Sequence, residues 1–99
     1  MFVTVSLMSK NEGEIKRFLD HYFKKEMDID NNVIEWIYVY RNAGRALDIM
    51  DIAMDNLEDY DISVWIQVED DDIIEVTGKN RARMTSRILS KVNTAAASF

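Results

Sequence analysis

The chain has no cysteine, no proline, three glycines and a single histidine among its 99 residues. Without cysteine there is no disulfide, no thiolate nucleophile and no Cys-based zinc or iron–sulfur site. The staples on which short extracellular domains rely are missing, which predicts a reducing, cytoplasmic home. His21 has no second histidine with which to build a metal site or triad, and no short serine-nucleophile motif is present. Hydrolytic and covalent catalysis are therefore not expected, and no cofactor is implied. No segment approaches the roughly 20 apolar residues of a membrane span. The apolar stretch at residues 2–8 is broken by Thr4 and Ser6 and is too short for the core of a signal peptide. With no low-complexity linker and no repeat, one domain over residues 1–93 is expected, followed by a tail, 94–99, that frays.

The chain is 47% hydrophobic and 30% charged, a globular composition, and its net charge of −6 argues against nucleic-acid partners, whose phosphates must be neutralised on binding. The distribution of charge is more specific than its sum. Residues 1–45 carry seven basic and seven acidic side chains, residues 46–78 eleven acidic and no basic ones, and residues 79–99 five basic and no acidic ones.

Residues 2–8 alternate Val3, Val5 and Leu7 against Thr4, Ser6 and Met8, the period of a strand. Ser9 with Glu12 matches a capping box, and Ile15, Phe18, Leu19 and Tyr22 recur at helical spacing, predicting a helix to about Lys25. Residues 33–40 are apolar on both parities, which predicts a second strand covered on much of both faces. Asn42 is placed to cap a second helix, whose stripe runs Ala46, Leu47, Ile49, Met50, Ala53, Met54, Leu57, Tyr60. Ile62, Val64, Ile66 and Val68 alternate with Ser63, Trp65, Gln67 and Glu69. The acidic turn at 70–72 leads into a short strand at 73–77, giving a hairpin. A last helix over about 80–93 buries Met84, Ile88 and Val92.

The order is βαβαββα, an α/β (α+β) domain with a four-stranded mixed sheet, in which the opening βαβ unit predicts parallel first and second strands. Over residues 2–92 this order resembles that of the thioredoxin-like fold. The chain departs from that family in lacking both redox cysteines and the proline before the third strand.

Three groups of residues are candidates for function. Lys10 follows the first strand, while Arg41, Asn42 and Arg45 follow the second; parallel strands would bring them together as a small-anion site. Lys79 and Arg81 sit at the start of the last helix, where the macrodipole disfavours cations. They either hold an anion with Gly78 and Asn80 or pair with the protein's own carboxylates. Asp48, Asp51 and Asp55 form an acidic stripe facing solvent or a partner, with Arg83, Arg87 and Lys91 as a basic stripe on the last helix. The acidic run 69–72 could gather a hard cation but has no specific spacing, and residues 28–39 lack the glycine and glutamate of a calcium-binding loop. Finally, Trp36, Tyr38, Tyr40 and Trp65 are expected to share one sheet face with Thr4, Ser6 and Gln67. That face is core if the second helix covers it, as the thioredoxin-like order implies, and an interface if all helices lie on the other side.

Together these features predict a non-enzymatic protein-interaction module, homodimeric, in which the acidic and basic blocks recognise a protein partner or a second copy. The alternatives are a small-anion or phosphate-ligand protein and an acidic inhibitor or immunity-type protein.

Overall fold

The alternation at the start of the chain produces a central strand. In a computed structural model, which describes residues 2–23, 29–56 and 59–97, β1 (Val3–Met8) is paired on both sides. Its partners are β2 (Glu35–Tyr40) and β3 (Ser63–Val68), and β4 (Ile74–Val76) adds to β3, giving the order β2-β1-β3-β4. The helices are α1 (Glu14–Phe23), α2 (Ala43–Asp55) and α3 (Arg81–Ala97). The element order is the expected one.

Strand direction is not. Every pairing is antiparallel, so the sheet is not mixed, and β1 and β2 run in opposite directions. The ten-residue α1 is only about 15 Å long, and the chain after it comes back to where it left β1. Asn31 O lies 3.6 Å from where a side chain on Gly13 would begin, and the Ser9 N–H donates to Ile34 O at 2.9 Å. The chain thus enters β2 beside the C-terminal end of β1 and runs back along it. The resemblance to the thioredoxin-like order stops at the order of elements.

Register then decides the faces. Val3, Val5 and Leu7 stand opposite Tyr40, Tyr38 and Trp36 on one side and Val68, Ile66 and Val64 on the other. Directly opposed residues in a pleated sheet point the same way. Trp36, Tyr38 and Tyr40 therefore share the aliphatic face and not the face of Trp65, which corrects the expected grouping of the four aromatics. All three helices cover the aliphatic face. Val3, Val5, Leu7, Val64 and Ile66 are fully buried beneath Ile15, Phe18, Ile49, Met50 and Ile88, whereas Thr4, Ser6, Trp65 and Gln67 on the opposite face remain half-exposed. The fold is two layers, helices over a sheet, and among the described residues no element covers the second sheet face, which is bare in that sense.

Local details differ from expectation where a side chain finds a nearer partner. The capping box does not form: Ser9 Oγ accepts from the Asn11 N–H at 3.1 Å, and the helix begins at Glu14 after Gly13, whose φ of +89° suits only glycine. Asn42 caps α2 as expected, its Oδ1 accepting from the N–H groups of Gly44 at 2.8 Å and Arg45 at 3.4 Å. α3 continues through Ala97, beyond the expected end at 93, and Ala95 packs against the core. The expected end of α1 at Lys25 and the α2 stripe residue Leu57 lie outside the described residues.

Because Leu7 is fully buried, Leu7→Ala is expected to lower the unfolding free energy by about 2–5 kcal/mol. Ser63→Ala, on the bare face, should change it by less than about 0.5 kcal/mol. Urea titrations of the two variants would measure both values.

Candidate functional site

The residues that stand out in the tertiary structure are those of β2. As the first strand in the sheet order it has a partner on one side only. The Ile34 carbonyl accepts from Ser9 on the β1 side, and successive residues of a strand alternate the side to which they aim their N–H and C=O. Trp36, Tyr38 and Tyr40 therefore bond to β1, and the N–H and C=O groups of Glu35, Ile37 and Val39 aim at the open edge. No strand among the described residues pairs with that edge.

β2 carries exposed apolar side chains on both of its faces. On the bare face Ile37 is 56% and Val39 51% exposed; on the helix face Tyr38 is 47% exposed. Trp36 and Tyr40 on either side of Tyr38 are buried. The three rings form a ladder, Trp36 stacked on Tyr38 at 5.6 Å and 14° and Tyr38 against Tyr40 at 4.6 Å. The two-faced coverage expected from the apolar character of this strand is thus not what occurs. β2 lacks the lysine, proline or bulge with which proteins usually protect an edge from pairing. Ile37 and Val39 were not singled out by sequence reasoning. Their signal was the absence of a polar parity in residues 33–40, which fits a doubly buried strand as well as an edge that meets a partner. On the bare face the apolar surface extends to exposed Phe2, with Arg41 5.6 Å above its ring, and to exposed Met8.

Some of the charged candidates are engaged within the chain. Arg81 bridges α3 to α2, with Nη1 2.6 Å from Asp55 Oδ1 and Nη2 3.4 Å from Asp51 Oδ1. Asp51 and Asp55 lie in the last turns of α2, the negative end of its dipole, and Arg81 opens α3 at the positive end of its own. Each charge is misplaced for its own helix, and the contact lets the two misplacements offset one another. Lys91 pairs with Asp71 of the hairpin turn and lowers the pKa of that carboxyl. Glu14 is likewise held below the ordinary carboxyl value by its bond from Arg17, with a second bond from the Asp61 N–H. Arg17 also donates to Asp59 O and lies 4.0 Å above the Tyr60 ring. Asp48, Lys79, Arg83 and Arg87 are exposed.

The anion set does not assemble. Antiparallel pairing puts Lys10 at one end of the β1–β2 ladder and Arg41, Asn42 and Arg45 at the other, about 20 Å away over six residues. Asn42 is occupied as a cap. Lys10 instead borders an open cleft of about 340 Å³ with Met8, Ser9, Asp61, Ser63 and Trp65. Among the described residues no group of three His, Cys, Asp or Glu side chains could hold a metal ion, and no helix is long and apolar enough to cross a membrane.

Arg81→Ala is expected to cost about 1 kcal/mol, the range of a partly exposed ion pair that also screens a helix end, and the loss should shrink in high salt. Glu14 and Asp71 have folded-state pKa values below their ordinary values of 4.5 and 3.8. Their stabilisation is complete above those values and drains as pH falls through the depressed ones. Thermal melts between neutral and acid pH should therefore show a drop that is shallower in Glu14→Gln. The chain matches no known family model, no characterised protein and no solved structure.

Proposed function

We propose that this chain is a small non-enzymatic protein-interaction module of the cytoplasm that associates with itself through β2. The observation that carries this reading is the open edge of β2, a six-residue strand in which Ile37 and Val39 on one face and Tyr38 on the other are exposed and three residues aim their backbone polar groups outward. An edge of this kind recruits another strand, because backbone hydrogen bonds supply affinity and alternating side chains supply selectivity.

The charge blocks play a smaller part than their size suggests. Arg81, Asp51, Asp55, Lys91 and Asp71 stabilise the monomer's own layer packing. Asp48, Arg83 and Arg87 remain on the surface, where they steer encounter more than they hold a complex.

Light scattering of the purified protein over a concentration series tests this. A dimer is expected, with a dissociation constant on the order of micromolar, as befits a small interface. Because strand pairing carries it, its mass should persist in high salt. Ile37→Lys together with Val39→Lys should give a monomer with an unchanged circular dichroism spectrum. A wild-type monomer at every concentration would refute the reading, as would a dimer indifferent to this double substitution.

A further inference from the structure

The geometry points to a specific complex: two copies joined antiparallel through β2 about a two-fold axis at Tyr38, in a register closed at each end by Glu35 of one copy and Arg41 of the other. This rests on the self-association proposed above and adds its register and partner groups.

A two-fold axis running between two copies of one antiparallel strand allows few registers. Residues opposite each other must have sequence numbers with a constant sum, and opposed residues share a face, so that sum is even. With Tyr38 opposite Tyr38 of the second copy, Ile37 meets Val39, Trp36 meets Tyr40, and Glu35 meets Arg41. Each apolar side chain is matched with an apolar one, and each charge with its opposite. Glu35, Ile37 and Val39 aim their backbone groups outward, and Arg41 follows directly after the strand, in a bend. Ile37–Val39 is thus the hydrogen-bonded pair, Tyr38–Tyr38 is a close, non-hydrogen-bonded pair, and Glu35 and Arg41 meet through their side chains at the two ends.

Shifting the register by one step in either direction breaks this match. With Ile37 on the axis, Glu35 faces Val39, its carboxylate set against an aliphatic side chain. With Val39 on the axis, Ile37 faces Arg41. Both end groups are exposed, Arg41 lying over the Phe2 ring, and no ion pair among the described residues engages Glu35 or Arg41. The partner copy also covers the exposed apolar side chains of β2. The Tyr38 ring meets its mate between the Trp36 and Tyr40 rings, and on the bare face Ile37 and Val39 of both copies form one apolar cluster. Joined this way, the four strands of each copy make one continuous eight-stranded antiparallel sheet.

The absence of cysteine from the natural chain makes the register directly readable, since any introduced thiol is unique. A directly opposed, non-hydrogen-bonded pair has Cα atoms about 4.5 Å apart, within disulfide range; residues one register step off lie beyond about 7 Å. Of the single variants Ile37→Cys, Tyr38→Cys and Val39→Cys, only Tyr38→Cys should give a disulfide-linked dimer on mild oxidation. Charge reversal gives an independent measurement: Glu35→Arg or Arg41→Glu alone should weaken association at least tenfold, and the two together should restore it to within about threefold.

If light scattering gives a β2-dependent dimer but Ile37→Cys or Val39→Cys cross-links in place of Tyr38→Cys, the register is overturned while self-association through β2 stands. Failure of the double charge reversal to restore association overturns the register as well. A dimer broken by Trp65→Glu but not by substitutions at Ile37 and Val39 assigns the interface to the bare sheet face and overturns both readings. A monomer throughout also overturns both.

Discussion

The pairing of β1 on both sides is the constraint from which the rest of the structure follows. Val3, Val5 and Leu7 are fully buried, and the strands flanking them take their facing from the registers set along β1. A slip of one residue in the β1–β2 ladder would turn Trp36 and Tyr40 out of the core and Ile37 and Val39 into it. The direction of β2 matters equally. By returning the chain to the C-terminal end of β1 before β2 begins, the connection after α1 makes the sheet antiparallel, and antiparallel sheets can stay bare on one face.

That arrangement explains the ion pairs between α2 and α3. Two helices side by side on one face of a sheet bring the end of α2 close to the start of α3. Carboxylates at the negative end of one dipole then meet a guanidinium at the positive end of the other. A residue pattern that violates the rule for each helix alone satisfies both once they are packed, and Asp51 and Asp55 of the acidic block meet Arg81 of the basic block within the monomer. The same is true on a smaller scale at the hairpin, where Lys91 reaches Asp71.

The bare face and the open edge of β2 concentrate exposed apolar surface. A strand of aromatic and β-branched residues at a sheet edge is usually blunted by charge or a bulge. Here the charged residues within 33–41, Glu35 and Arg41, stand at the two ends of the strand. They leave the middle free to pair and constrain how a second copy of the same strand would align.

The number, type and order of elements were readable from the chain, because alternation and helical spacing are local patterns. The Asn42 cap was readable for the same reason, and so was the inward set Ile62, Val64, Ile66, Val68. Arg81 was legible as a violation of a local rule, with pairing to the protein's own carboxylates as one of two stated outcomes. What tertiary structure alone decided was the direction of β2 and hence which residues share a face. That choice scattered Lys10 from Arg41 and Arg45, moved Trp36 and Tyr40 into the core away from Trp65, and left Ile37 and Val39 exposed. The physical reason is that a strand's own sequence fixes only which of its residues alternate. Which parity faces the core, and whether a second face is covered at all, depends on a register and a neighbour supplied by residues far away in the chain.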